Sequence, residues 1–298
     1  MPNLKPLASL MLVAATQPPA QPNADGTIPP EVAVQRGDYA RARSVFTTHL
    51  LRRGPSPQTV PMQTTPAGVT EAEFRSGPLR LRAWIGLPPQ RRERMPVVIF
   101  LHGGFGFGVE DWEMAAPYRA AGFVVIAPIL RGENGQAGSF SLFYDEVDDV
   151  LAAADFTRHL PYVDRARIYL AGHSAGGTLA LLTAAASGRF RAAVSFSASP
   201  DQVVFTRYGI RPADIPFDPA SARELQMRSP LSWAGSLRVP TRLYFGTREA
   251  HWRLSSRRLV EVGRAAGRDV AVEEVEGGHE SAVPEAMRRS IAFFRARD

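Results

Sequence analysis

The stretch "RIYLAGHSAGGTLALLTAAAS", Arg167 to Ser187, changes character in its middle. Ile168, Tyr169 and Leu170 make a β-branched, aromatic and aliphatic run suited to a buried strand. Thr178 through Ala186 is dense in Leu and Ala, the strong helix formers. Between the two lie Gly172, His173, Ser174, Ala175, Gly176 and Gly177. A G-x-S-x-G pattern on a strand-turn-helix forces the serine backbone into a strained turn, and its neighbours must lack side chains for Oγ to stand clear. A serine at a helix start also serves as a plain N-cap. The strand before it and the helix after it favour the nucleophile, which makes Ser174 the candidate.

The 298 residues, 45% of them hydrophobic, suffice for a sizeable core. The formal charge of +6 invites a nucleic-acid reading, but Lys5 is the only lysine and the arginines are scattered. With no aromatic-interleaved basic patch, nucleic acid is not an expected partner. Cysteine is absent, which excludes a disulfide, a thiolate nucleophile or a Cys-based metal site.

Leu7 to Ala15 ("LASLMLVAA") is an apolar run behind a single Lys5, with small residues at Val13-Ala14-Ala15 before the Pro-rich "TQPPAQPNADGTIPP". It is too short to span a bilayer, so no stable membrane insertion is expected. As a short signal peptide it has a weak positive region, and export and a cytoplasmic location receive equal support. Residues 1–30 are read as this segment plus a linker, and 31–298 as one domain. "EVAVQRGDYARARSVFTTHLLRR", Glu31 to Arg53, places Tyr39, Ala42, Val45, Phe46, His49 and Leu50 at helical spacing, predicting a helical extension over about 31–55.

"VTEAEFRSG" and "LRLRAWIGLP" read as antiparallel strands turning at Gly77-Pro78. From Met95 onward "PVVIFLHGG", "GFVVIAPIL", "RIYLAGHS", "RAAVSFSAS", "TRLYFGT" and "DVAVEEVEG" alternate with helical segments such as Glu146 to Leu160 and Leu254 to Ala266. That alternation predicts a mostly parallel sheet with helices on both faces.

In such a sheet ligands gather at the carboxyl ends of the strands. After "VVIFL" come His102-Gly103-Gly104-Phe105, where glycines let backbone N–H groups turn toward the serine. Ala175 N–H and that of Gly104 or Phe105 are the expected donors for a developing oxyanion. His102 is expected to brace that loop. After "VAVEEVEG" comes His279. Of the six histidines it alone lies on a Gly-flanked loop past the last strand, where a general base that follows the acid in chain order belongs. For the carboxylate that orients it, Glu249 after "TRLYFG" is favoured over Asp201, because it leaves a strand directly whereas Asp201 opens a long loop. In "RGENGQAGSFSLFYDEVDDV", Phe140, Phe143 and Tyr144 are candidate pocket walls together with Phe105 and Phe107. Asp145, Glu146, Asp148 and Asp149 read as acids favouring a helix N-terminus, not as metal ligands.

The segments "VVIFLHGGFG", "APILRGENGQAGSFS", "EVDDVLAAADFTRHLPYVDRARIYLAGHSAGG", "RSPLSW", "PTRLYFGTRE" and "EGGHE" together resemble the α/β-hydrolases. Within them they resemble the catalytic domain of the prolyl oligopeptidase family and the dienelactone-hydrolase-like esterases. The resemblance implies an α/β-hydrolase fold with a sheet of about eight strands and a catalytic triad of Ser174, Glu249 and His279. A short insertion, about Ser199 to Trp233, replaces a full cap. The departures are a Glu where the family usually has Asp, and no stretch resembling an oligopeptidase's β-propeller. The expected activity is that of a serine hydrolase acting through an acyl-enzyme on a small-molecule carboxylic ester. The alternatives are peptidase or aminoacyl hydrolase action on a short peptide and, further off, a non-catalytic binding protein. No metal or cofactor is implied.

Overall fold

A computed structural model of the protein describes residues 21–60 and 64–298. The apolar run at Leu7 to Ala15, and with it the expected leader, lies outside the described residues. Among those described, eight strands form one open sheet: β1 (Val69–Ser76), β2 (Leu79–Gly86), β3 (Met95–Leu101), β4 (Val124–Pro128), β5 (Val163–His173), β6 (Ala193–Phe196), β7 (Thr241–Gly246) and β8 (Val270–Val275). Their spatial order is β1-β2-β4-β3-β5-β6-β7-β8. The β1–β2 hairpin turns at Gly77, whose φ is +55°, and β2 runs antiparallel to β4. From β4 onward every pairing is parallel.

The helices are α1 (Tyr39–Val45), α2 (Val109–Met114), α3 (Ala116–Ala120), α4 (Glu146–Arg158), α5 (Ala175–Ala186), α6 (Gln202–Tyr208), α7 (Ala222–Arg228), α8 (Ala250–Ala265) and α9 (Val283–Arg295). Consecutive strand residues point to opposite faces, so β3 sends Val97, Ile99 and Leu101 into one core and Val98 and Phe100 into the other. Val147 of α4, Leu182 of α5 and Leu259 of α8 complete the first core. Trp112 of α2, Tyr118 of α3 and Phe294 of α9 complete the second. A sheet covered on both faces needs strands that are apolar throughout, which is why "VVIFL" and "VVIAP" show no polar alternation. Short 3-10 turns at Pro212–Asp214 and Pro230–Ser236 join α6 and α7 to form the expected insertion between β6 and β7.

The N-terminal extension differs from its sequence reading. Of the helix expected over about 31–55 only Tyr39–Val45 forms, started by Asp38, whose side chain accepts from Arg41 N. The backbone N–H groups of Glu31 and Val32 are instead captured by the Asp201 carboxylate at 2.6 and 2.9 Å. Downstream, Leu50 bridges to Phe217 of the insertion. Helical spacing in this segment is outweighed by tertiary partners for its backbone. Part of the expected linker is also structural, since Thr27 and Ile28 are buried.

Candidate active site

The three glycines around Ser174 have steric reasons. Ser174 sits at φ +52°, ψ −115°, between β5 and α5. A Cβ on Gly172 would collide with the carbonyl of Gly176, and one on Gly176 with the carbonyls of Leu101 and His102. One on Gly177 would come within 2.9 Å of Phe196 O. These closures hold the turn tight and leave Ser174 lining the cleft beyond the strand ends.

His279, past the end of β8, places Nε2 2.9 Å from Ser174 Oγ. Its Nδ1–H donates to Glu249 Oε1 at 2.7 Å. The other carboxylate oxygen of Glu249 accepts from Ser197 Oγ at 2.6 Å and from Gly246 N at 2.7 Å. Burial pushes the Glu249 carboxyl upward, but the hydrogen bonds from His279, Ser197 and Gly246 outweigh it and hold the group below the usual range. Glu249 is 3% exposed and therefore depends on those partners to remain a carboxylate. Ser197, at φ +52° just past β6, is a site residue that sequence reading missed. His173 turns away from the cleft and meets the carbonyl of His279 through Nε2 at 3.1 Å, bracing that loop.

Asp201, the alternative acid, lies elsewhere. Fully buried, it accepts from Glu31 N, Val32 N, Val203 N and Val204 N. Four backbone donors commit it to joining the N-terminal segment to α6.

The loop after β3 is held on two sides. His102 sets Nδ1 2.9 Å from Gly103 O and Nε2 2.9 Å from Glu133 Oε2, two acceptors that together call for the imidazolium. Burial disfavours that charge, yet Glu133 outweighs it and pushes the His102 pKa up to about 9. On the cleft side, Phe105 N–H donates to Gln58 Oε1 at 2.5 Å. Ser56 Oγ contacts Phe105 O in the same segment. Gly104 has φ +63°, a conformation that side chains rarely adopt, and lies against the Gln58 carboxamide. Ala175, first residue of α5, has no intrahelical acceptor for its N–H and lines the cleft with Gly104 and Phe105. Gln58 is the second site residue with no signal in the sequence.

The cleft has a volume of about 710 Å³. Phe105 and Phe143 line it as expected, but three of the proposed pocket aromatics do not. Phe107 packs edge-on against Trp84 in the opposite core, because the chain after Gly106 leads into α2, whose Trp112 lies in that same core. Phe140 is buried behind Phe105 at 5.0 Å between ring centres. Tyr144 faces α1, giving its hydroxyl to Phe46 O and its ring to the Arg43 guanidinium. The acids beside them have partners more specific than a helix dipole. Asp149 takes Arg131 through two nitrogens at 2.9 and 2.7 Å and Ser76 Oγ at 2.6 Å. Glu146 binds both Ser141 N and Ser141 Oγ at 2.6 Å. These anchors fix the loop that presents Phe143 at φ +72°.

Among the described residues no helix is long and apolar enough to cross a membrane.

Comparison with known proteins agrees with this architecture. A relative from Bacillus subtilis, an uncharacterized peptidase, is 25% identical over 177 residues, which cover 55% of this chain and 66% of that one. A puromycin-hydrolyzing peptidase of Mycobacterium tuberculosis superposes with a TM-score of 0.68 at 23% identity, over 77% of this chain and 40% of that one. An esterase of Pyrococcus furiosus superposes with a TM-score of 0.66 at 17% identity, over 82% and 98% of the two chains. The chain thus spans less than two thirds of either peptidase's length. The model of the alpha/beta hydrolase family matches residues 98–292, from the third strand to the last helix. By that match the chain belongs to the alpha/beta hydrolase family.

Proposed function

We propose that the protein is a serine hydrolase using Ser174, His279 and Glu249 as a triad, and that its substrates are carboxylic esters. The observation that carries this reading is the continuous line from Ser174 Oγ through the His279 ring to Glu249, at 2.9 and 2.7 Å. A serine hydroxyl attacks a carbonyl only if its proton is taken as the bond forms, and His279 Nε2 stands at the distance for that transfer. Glu249 holds Nδ1 as the donor, which leaves Nε2 free to accept, and stabilises the imidazolium that follows. Negative charge then grows on the carbonyl oxygen beside the N–H groups of Ala175 and Phe105. For Phe105 to serve, the Gln58 carboxamide oxygen gives way to the substrate oxygen. Return of the proton to the departing alkoxide gives the alcohol and an acyl-Ser174. Water, deprotonated by the same histidine, releases the acid.

Esters are favoured over free peptides by the composition of the cleft. Glu249 is the only acid among the described lining residues, and its two oxygens are already engaged. No carboxylate remains there to receive a substrate's α-ammonium group. Similarity to the Bacillus subtilis peptidase supports a second reading, cleavage of short peptides. The test is labelling with a fluorophosphonate together with turnover of p-nitrophenyl acetate. Both should be present in the wild type and absent in Ser174→Ala, and labelling that survives the substitution refutes the assignment.

A further inference from the structure

Phe105 and Phe143 at one end of the cleft continue into the insertion and α8 through a chain of ring contacts. Ring centres are 6.0 Å apart for Phe105–Phe143, 5.8 Å for Phe143–Phe205 and 6.2 Å for Phe205–Trp252. Phe105, Phe143, Phe205 and Trp252 all line the cleft, so a row of touching rings forms part of its lining. At the far end the lining is completed by the N-terminal segment, through Pro22, Gly26 and Ile28.

That segment is built in rather than laid on. Ile28 is 4% exposed and forms an apolar cluster with Val204 of α6 and Trp252 of α8. Asn23 Nδ2 donates to Thr27 Oγ1 at 2.8 Å, and Thr27 Oγ1 donates to Asp25 Oδ1 at 2.7 Å, closing the turn before Ile28. Gly26, at φ +75°, lies against α8, where an added Cβ would stand 3.5 Å from Ala250 Cβ. Ala250 directly follows Glu249. Beyond Ile28, the Asp201 carboxylate binds Glu31 N and Val32 N with one oxygen and the start of α6 with the other. The Asp201 carboxylate thus joins the strap to the insertion, beside the packing of Ile28 on Val204 and the ion pair of Glu31 with Arg207.

We infer that residues 22–32 are a fixed strap closing one end of the cleft, in which Ile28 sets how long an uncharged apolar substrate group is accepted and Asp201 positions the strap. The inference rests on the serine-hydrolase reading and deepens it, naming esters with an extended apolar group as the substrate class. The physical reason is volume. Apolar atoms gain when they leave water against Ile28 and Trp252, and a group too long for the closed end has nowhere to go.

The experiment uses two ester series, one lengthening the acyl chain from acetate to decanoate on p-nitrophenol and one lengthening the alcohol on acetate. Ile28→Trp fills the closed end, and in one series it should move the optimum of kcat/KM to a chain shorter by about two carbons. Ile28→Ala opens it and should move the optimum the other way by a similar amount. Asp201→Asn should raise KM for the best long ester about tenfold while kcat changes much less, a split that a general loss of folded protein does not give. Should Asp201→Asn not fold, the Ile28 pair decides. Unmoved optima in both series for both Ile28 variants, with native circular dichroism, overturn the strap proposal. Fluorophosphonate labelling separates the two levels. Labelled wild type with unmoved optima defeats only the strap, whereas absent labelling and absent ester turnover defeat the serine-hydrolase reading beneath it.

Discussion

Ser197 Oγ donates to Glu249 Oε2 at 2.6 Å from the end of the neighbouring strand, so the carboxylate facing His279 is held by a hydroxyl on a different element. Glu249 is one methylene longer than the aspartate that usually fills this place, and a longer side chain has more rotamers to lose. Ser197 and Gly246 N together restrict it to one.

Ser197→Ala should therefore lower kcat on p-nitrophenyl acetate by about tenfold with little change in KM, since a net hydrogen bond to a charged group is worth about 1.5–3 kcal/mol and only part of it reaches the transition state. Steady-state kinetics at saturating ester check it. An unchanged kcat would mean that Gly246 N alone suffices.

Glu249→Gln should cost about 10⁴ in kcat, because the imidazole loses both its fixed tautomer and the support of its charged form. Asp201→Asn should instead act on stability, because the amide cannot serve all four backbone donors with acceptor oxygens. A loss of about 1–3 kcal/mol is expected from urea titration. If the two variants exchanged these phenotypes, the acid would belong on the loop after β6.

Gln58→Ala removes the oxygen that occupies Phe105 N–H. A substrate oxygen then meets no competitor, and kcat/KM should rise by about 2–10-fold, the equivalent of one net hydrogen bond. A fall would show that Gln58 serves the loop by holding it in place.

The buried His102–Glu133 pair predicts a pH dependence of folding. His102 is raised in the folded chain to about 9 from its ordinary 6.5, so the native state holds a proton that the unfolded state releases first. The contribution to stability is complete below about pH 6.5 and is lost as pH rises through 9. Urea titrations at pH 6.5 and pH 9.5 should show the loss in the wild type, and Glu133→Gln, which removes the partner charge, should show much less of it.

The features legible along the chain are those that local sterics and periodicity dictate. Glycines at 172 and 176 are required wherever a strand folds back into a helix around a strained serine, and that requirement is written within five residues. The doubly apolar strands announce a sheet covered on both faces. The order of Ser174, Glu249 and His279 along the chain is the one that the resemblance to the α/β-hydrolases implies. The remaining relationships come from packing, because they join residues that are distant in the chain. Ser197 meets Glu249 across 52 positions and Gln58 meets Phe105 across 47. Asp201 reaches Glu31 across 170, which takes the first residues of an expected helix out of helical pairing and makes the alternative acid an anchor for their backbone. Phe107 and Tyr144 read as pocket walls by their neighbourhood in sequence, yet the backbone turns both away from the cleft. Periodicity states that a side chain is buried, and the packing of distant segments selects the surface against which it is buried.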